Sequence, residues 1–180
     1  MNKPLWEPNE LKKKNSILAD FAKFINFKSE YNFKDLWKWT IENPEEFWRN
    51  FWDYSKIKGN KGKEVIQYNK VFNKTKFFPD SKINYAENIL KKKTDDIAIH
   101  FLSEKGFEES ISWNKLYEKV CKFSGYLKTL GLKKGDRVAA NVPNKIESII
   151  SFLDCAKNGI IWSSCSTDFG TEGVVARFKQ

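Results

Sequence analysis

Six small polar side chains stand in a row at Ser163, Ser164, Cys165, Ser166, Thr167 and Asp168, directly after the apolar run Ile160-Ile161-Trp162. Hydroxyls, a thiol and a carboxylate at that density can contact phosphates or amides, and the backbone N–H groups of such a loop can do the same. The residues leave two readings open for the segment 163–170. Either it binds a ligand, or Asp168 or Thr171 caps a following helix. Cys165 has no base near it in sequence, which favours a packed thiol over a nucleophile. The single histidine, His100, falls inside Ile97-Ala98-Ile99-His100-Phe101-Leu102, a strand-like run where a satisfied structural histidine is expected. Asp95-Asp96 reads as a turn before that run. A GxGxxG fingerprint and a Walker-type phosphate loop are both absent from the sequence.

The elements that must position the polar row are read from spacing. Val138 to Val142 is a strand stopped by Pro143-Asn144. Asn144 with Glu147 predicts the cap of a helix that buries Ile146, Ile149, Ile150, Leu153 and Ala156. Gly159 ends it, and Ile160-Ile161-Trp162 is the next strand, so the stretch is a βαβ unit. In open parallel sheets, ligands bind beyond the carboxyl ends of the strands, which is where the polar row is expected. Thr171 to Gln180 reads as the first turns of another helix, with no C-cap signal. Upstream, Ile97–Leu102 and Phe107–Ile111 form a hairpin across Glu104-Lys105-Gly106. Ser112 caps a long helix with Leu116, Val120, Phe123, Leu127 and Leu130 on one stripe, and Gly131 ends it.

The first eighty residues carry most of the aromatic side chains. Leu11, Leu18, Phe21 and Ile25 predict one helix after Asn9. A second opens at Asn32 with Phe33, Leu36, Trp37 and Trp39. A third starts at Asn43-Pro44 and carries Phe47, Trp48, Phe51 and Trp52. Residues 56–63 read as a polar connector, Val65–Phe72 as a short strand and Phe77-Phe78-Pro79 as an extended piece. Asn84 and Glu87 make a capping box for a short helix, with Lys91-Lys92-Lys93 near its end.

The chain has 180 residues with 41% hydrophobic content, enough for one domain or one domain plus an extension. No apolar run approaches the ~20 residues of a membrane span, and Met1 to Trp6 show no apolar leader segment. Cys121, Cys155 and Cys165 are odd in number and far from ligand spacing, so reduced thiols in a cytoplasmic setting are expected. Net charge is +9 from 32 basic residues, of which only Arg49, Arg137 and Arg177 are arginine. Sequence-specific nucleic-acid readers lean on Arg. A Lys-rich solvated surface is therefore favoured over a nucleic-acid or membrane partner. A freestanding basic interaction module is the competing reading, and it predicts strongly salt-dependent binding.

The chain resembles the adenylate-forming acyl-CoA synthetases. The resemblance is carried by Trp6-Glu7-Pro8, Leu36-Trp37-Lys38-Trp39, Pro44-Glu45-Glu46-Phe47-Trp48, Phe51-Trp52-Asp53-Tyr54, Phe78-Pro79, Asn84-Tyr85-Ala86-Glu87-Asn88, Gly135-Asp136-Arg137-Val138 and the block from Trp162 to Gly170. The tryptophan-rich segment narrows it to the acetyl-CoA synthetase-like branch, and the Trp162–Gly170 block is similar to acetoacetate-activating members. Acetate or propionate activation is the alternative within the family. The resemblance implies an α/β fold: a helical, aromatic-rich N-terminal extension over 1–94, then the start of the AMP-binding domain over 95–180. It implies ATP, CoA and magnesium as the full-length enzyme's cofactors and acetoacetate as its substrate. It also implies that the loop at Ser166, Thr167 and Asp168 faces CoA. The family's phosphate loop, aromatic-Thr-Glu segment, ribose-holding Asp and catalytic Lys do not occur in this sequence. The expectation is an N-terminal portion beginning at a genuine Met1, with no catalytic residue and no metal ligand, inactive by itself.

Overall fold

Four helices, the last three of them aromatic-bearing, open the chain in a computed structural model that describes residues 5–28 and 32–179. Met1 and Gln180, on which the expectations about the two ends rest, lie outside the described residues. The expected first helix is two. α1 (Glu10–Lys14) is capped by Asn9, which accepts from the Lys12 N–H. α2 (Ile17–Phe24) starts afresh at Ser16, whose hydroxyl accepts from the Ala19 N–H at 3.1 Å and donates to the Lys13 carbonyl at 2.7 Å. The break leaves Leu11 67% exposed rather than on the buried stripe. α3 (Phe33–Glu42) and α4 (Pro44–Tyr54) begin where their Asn and Pro signals predict.

Phe21, Ala22 and Leu36 are the buried centre of these helices, with Trp39, Phe47 and Tyr54 packed around them. The Phe21 ring meets Phe47 edge-on at 5.9 Å and Tyr54 at 5.2 Å. Two short antiparallel pairs follow. β1 (Gly59–Asn60) falls inside the expected connector and pairs with β4 (Lys82–Ile83). β2 (Ile66–Gln67) is all that forms of the strand expected over 65–72, and it pairs with β3 (Lys76–Phe77).

Contacts divide the chain between Ile83 and Asn84, ahead of the 94/95 division read from sequence. The reason is α5 (Tyr85–Ile89), which buries Ala86 with Leu90 in the apolar cluster of the second unit. Asn84 caps α5 through the Glu87 N–H, and its amide also donates to the Ala156 carbonyl at 3.0 Å.

In the second unit β5 (Ile97–Leu102) and β6 (Glu108–Ser112) form the expected hairpin. His100 Nδ1 lies 2.7 Å from the hydroxyl of Ser110, its cross-strand partner, a structural role as expected. α6 (Trp113–Thr129) is capped by Ser112 and packs on α7 (Ile146–Asn158). Leu116, Val120, Ile146, Ile150 and Leu153 fill the space between. β7 (Arg137–Asn141) and β8 (Ile161–Cys165) are parallel neighbours joined through α7, with Arg137 opposite Ile161 and Asn141 opposite Cys165. α8 (Thr171–Phe178) closes the described chain.

Two capping expectations fail. The residue before α7 is Lys145, and no side chain caps that helix. Ser148 donates its hydroxyl to the Pro143 carbonyl at 2.6 Å instead, and Asn144 is left for the cleft described below. At α8 the cap position is Gly170, so neither Asp168 nor Thr171 fills it. Among the described residues no helix is long and apolar enough to cross a membrane.

Candidate functional site

The site is built where β7 and β8 end. β8 runs three residues further than the apolar pattern predicts, so Ser163, Ser164 and Cys165 are strand residues rather than loop. Burial then sorts the polar row, with Ser163 and Ser164 exposed and Cys165 buried. Cys165 turns inward, is 8% exposed, and holds its sulfur 3.9 Å from Asn141 Oδ1, the packed thiol anticipated from sequence. Ser164 is exposed and lines a cleft of about 400 Å³. The other walls come from Pro143, Asn144 and Ser148 after β7, and from Ile149, Phe152 and Trp162. Apolar walls with a few polar groups at the strand ends are the usual make-up of a ligand cleft.

Ser166, Thr167 and Asp168 form a tight turn past β8. The Ser166 hydroxyl donates to Asp168 Oδ2 at 2.8 Å and accepts from the Asp168 N–H at 3.3 Å. The Phe169 N–H closes the turn on the Ser166 carbonyl at 3.3 Å. Ser166 lines the cleft; Thr167 is exposed beside it, and Asp168 is drawn back onto Ser166. The Arg177 guanidinium lies 3.7 Å from the centre of the Phe169 ring and reaches the Gly173 carbonyl at 3.4 Å. That stack ties α8 to the loop through Phe169. With glycine at its cap, α8 presents first-turn N–H groups that no side chain covers.

Sequence reasoning missed Asn144 and Ser148. It assigned Asn144 to a cap, although a polar pair directly after the end of β7 is the same positional signal that picked out Ser166. It also missed the polar knot between α6 and α7. Asp154 is fully buried; its Oδ1 accepts from the Ser124 hydroxyl and, at 2.8 Å, from the Asn158 amide. Burial pushes its carboxyl above the usual range, offset in part by Ser124, the Lys157 charge and Asn158. Asp154 joins α6 to α7 and does not line the cleft.

The AMP-binding enzyme family matches residues 86–180. The chain is 34% identical over 183 residues to the acetoacetyl-CoA synthetase of Macaca fascicularis, covering 98% of this chain and 27% of that protein. It is 33% identical to the acetoacetyl-coenzyme A synthetase of Rhizobium meliloti, covering 99% of this chain and 28% of that protein. The solved structure of an acetoacetyl-CoA synthetase from Streptomyces lividans superposes with a TM-score of 0.84 at 24% identity, over 99% of this chain and 29% of that one. The last likeness concerns the fold: helices and short strands followed by the start of an adenylate-forming α/β domain. The chain spans just over a quarter of the length of the relatives it matches.

Proposed function

The chain belongs to the AMP-binding enzyme family, and from that premise we propose that it is the N-terminal part of an acetoacetate–CoA ligase. In this reaction ATP and acetoacetate give an acyl-adenylate and diphosphate, and the CoA thiol then displaces AMP to form acetoacetyl-CoA. The observation that carries the reading is identity of about a third, sustained along nearly the whole chain, with acetoacetyl-CoA synthetases from an animal and a bacterium. Family membership also displaces the freestanding basic module considered from charge alone.

In this reading residues 1–94 are the extension and 95–180 the start of the AMP-binding domain. Ser166, Thr167 and Asp168 border the CoA. The residues present fit a phosphate-bearing chain: Ser164 and Ser166 offer hydroxyls, Asn144 an amide, and α8 a first turn of uncapped N–H groups. An aspartate beside phosphates is repulsive in itself. Here the Ser166 hydroxyl takes up one carboxylate oxygen at 2.8 Å, and Arg177 stands over the same loop. Magnesium, when bound, supplies charge neutralisation for the ATP phosphates. The cleft walls contain no carboxylate, so they do not fit that ion and no step is assigned through it. Three free cysteines suit a reducing compartment such as the cytosol.

The test is diphosphate release from ATP with acetoacetate and CoA. A longer protein carrying this chain is expected to turn over and to favour acetoacetate over acetate and propionate. The 180 residues alone are expected to be inactive. Preference for acetate would overturn the substrate. In the same assay Ser166→Ala is expected to raise KM for CoA several-fold, in line with the loss of about 1 kcal/mol for one hydrogen bond, and to leave KM for ATP unchanged. An unchanged KM for CoA would remove the loop from the CoA border.

A further inference from the structure

Away from the cleft, α6 and α7 bring a thiol and a primary amine together. Lys157 Nζ donates to Cys121 Sγ at 3.2 Å. The amine is held there from two sides: it lies 5.4 Å from the centre of the Tyr117 ring, one turn before Cys121 on α6, and close enough to Asp154, one turn before it on α7, to affect that carboxyl's charge. Lys93 covers the same ring at 4.2 Å. Cys121 is partly exposed. The other two thiols are internal contrasts. Cys155 is fully buried, and burial pushes its thiol up to about 11. Cys165, the last residue of β8, is buried.

We infer that Cys121 and Lys157 are an oxidative modification site, at which a peroxide joins α6 to α7 through a sulfur–nitrogen bond. In the first step the thiolate sulfur attacks the peroxide. The O–O bond breaks, sulfur gains a hydroxyl to become a sulfenic acid, and one water leaves. In the second, Lys157 releases one ammonium proton to solvent and its nitrogen attacks the sulfur. The S–N bond forms, the S–O bond breaks, and the hydroxyl departs with a second amine proton as water. The sum is thiol, amine and peroxide to sulfenamide and two waters; sulfur loses two electrons and the peroxide gains them. Proximity favours the second step, because an amine already in contact with the sulfur reacts as an intramolecular partner. A thiol reductant reverses it by attacking sulfur and freeing the amine.

The experiment treats the 180-residue chain with hydrogen peroxide in mildly alkaline buffer and reads intact mass and a protease digest. The expected product is two hydrogen atoms lighter than the chain, has the Cys121 and Lys157 peptides joined, and returns to the starting mass with dithiothreitol. Lys157→Arg keeps the positive charge but has no primary amine; it is expected to lose the joined peptide and to carry Cys121 on to sulfinic acid. The digest of the unaltered chain reads the bond directly, so the inference stays testable if a variant misfolds. Sulfinic acid or a Cys121–Cys121 dimer as the main product of the unaltered chain would overturn it.

Discussion

Asp154 concentrates the chemistry at the scale of single residues. The sequence pattern assigns it no role, on a helix whose expected buried face is Ile146, Ile149, Ile150, Leu153 and Ala156. The structure puts it on that face, fully buried, with one oxygen bonded to Ser124 and Asn158 and the other meeting no donor among the described residues. Its raised carboxyl carries a definite sign. A group whose folded-state pKa lies above its unfolded value binds its proton more tightly when folded. The stability this contributes is full below the unfolded value of about 4, and it is lost as pH rises through the folded one. Asp154→Asn keeps an oxygen to accept from Ser124 and cannot ionise. The stability of the unaltered chain relative to Asp154→Asn, followed by urea midpoints, is therefore expected to fall as pH rises above the unfolded value. A difference that does not change with pH would show that burial does not perturb this carboxyl. Ser166 was legible because it follows an apolar strand. Asp154 was not, because whether a lone aspartate on a helix meets water or Ser124 depends on which helix lies across from it.

Elements were legible in proportion to how local their signals are. Ser112, Asn32 and Asn84 each begin the helix their residue type predicts, since a cap is a hydrogen bond between neighbours in sequence. Asn144 fails because the Ser148 hydroxyl bonds the Pro143 carbonyl, and the cap position falls one residue later, at Lys145, with α7 starting at Ile146. β8 is longer than its apolar run because Ser163, Ser164 and Cys165 gain ladder partners on β7, which no spacing within β8 reveals. Gly159 joins the two kinds of signal. It ends α7 at φ 69°, and its carbonyl accepts from the Gly135 N–H at 2.9 Å, which sets the start of β8 against the turn before β7. A Cβ there would stand 2.9 Å from Lys134 Cγ. Gly159→Ala is expected to cost about 1–2 kcal/mol from the left-handed backbone alone, with the lysine shifting aside. Chemical denaturation checks this, and a change below a few tenths would mean that the turn relaxes freely.

For the whole molecule, each unit holds its own apolar centre. Ala86, Leu90, Leu116, Ile146 and Leu153 all lie after Asn84, while Phe21, Ala22 and Leu36 lie before it. Residues 84–180 made alone are therefore expected to unfold cooperatively in urea, and a broad, featureless transition would show that their core needs the first unit. The order of the segments, the aromatic helices, the βαβ stretch and the polar row were determined by sequence alone, as was the resemblance that led to the family. Those signals rest on caps, side-chain periodicity and turn residues, which act over a few positions. Only the tertiary structure decided that the polar row divides between strand and turn, and that Asn144 and Ser148 share the cleft with Ser166. It alone decided that Asp154 is enclosed and that Lys157 meets Cys121. Each of those depends on strands or helices far apart in sequence becoming neighbours, and no pattern along a single element records what it will face.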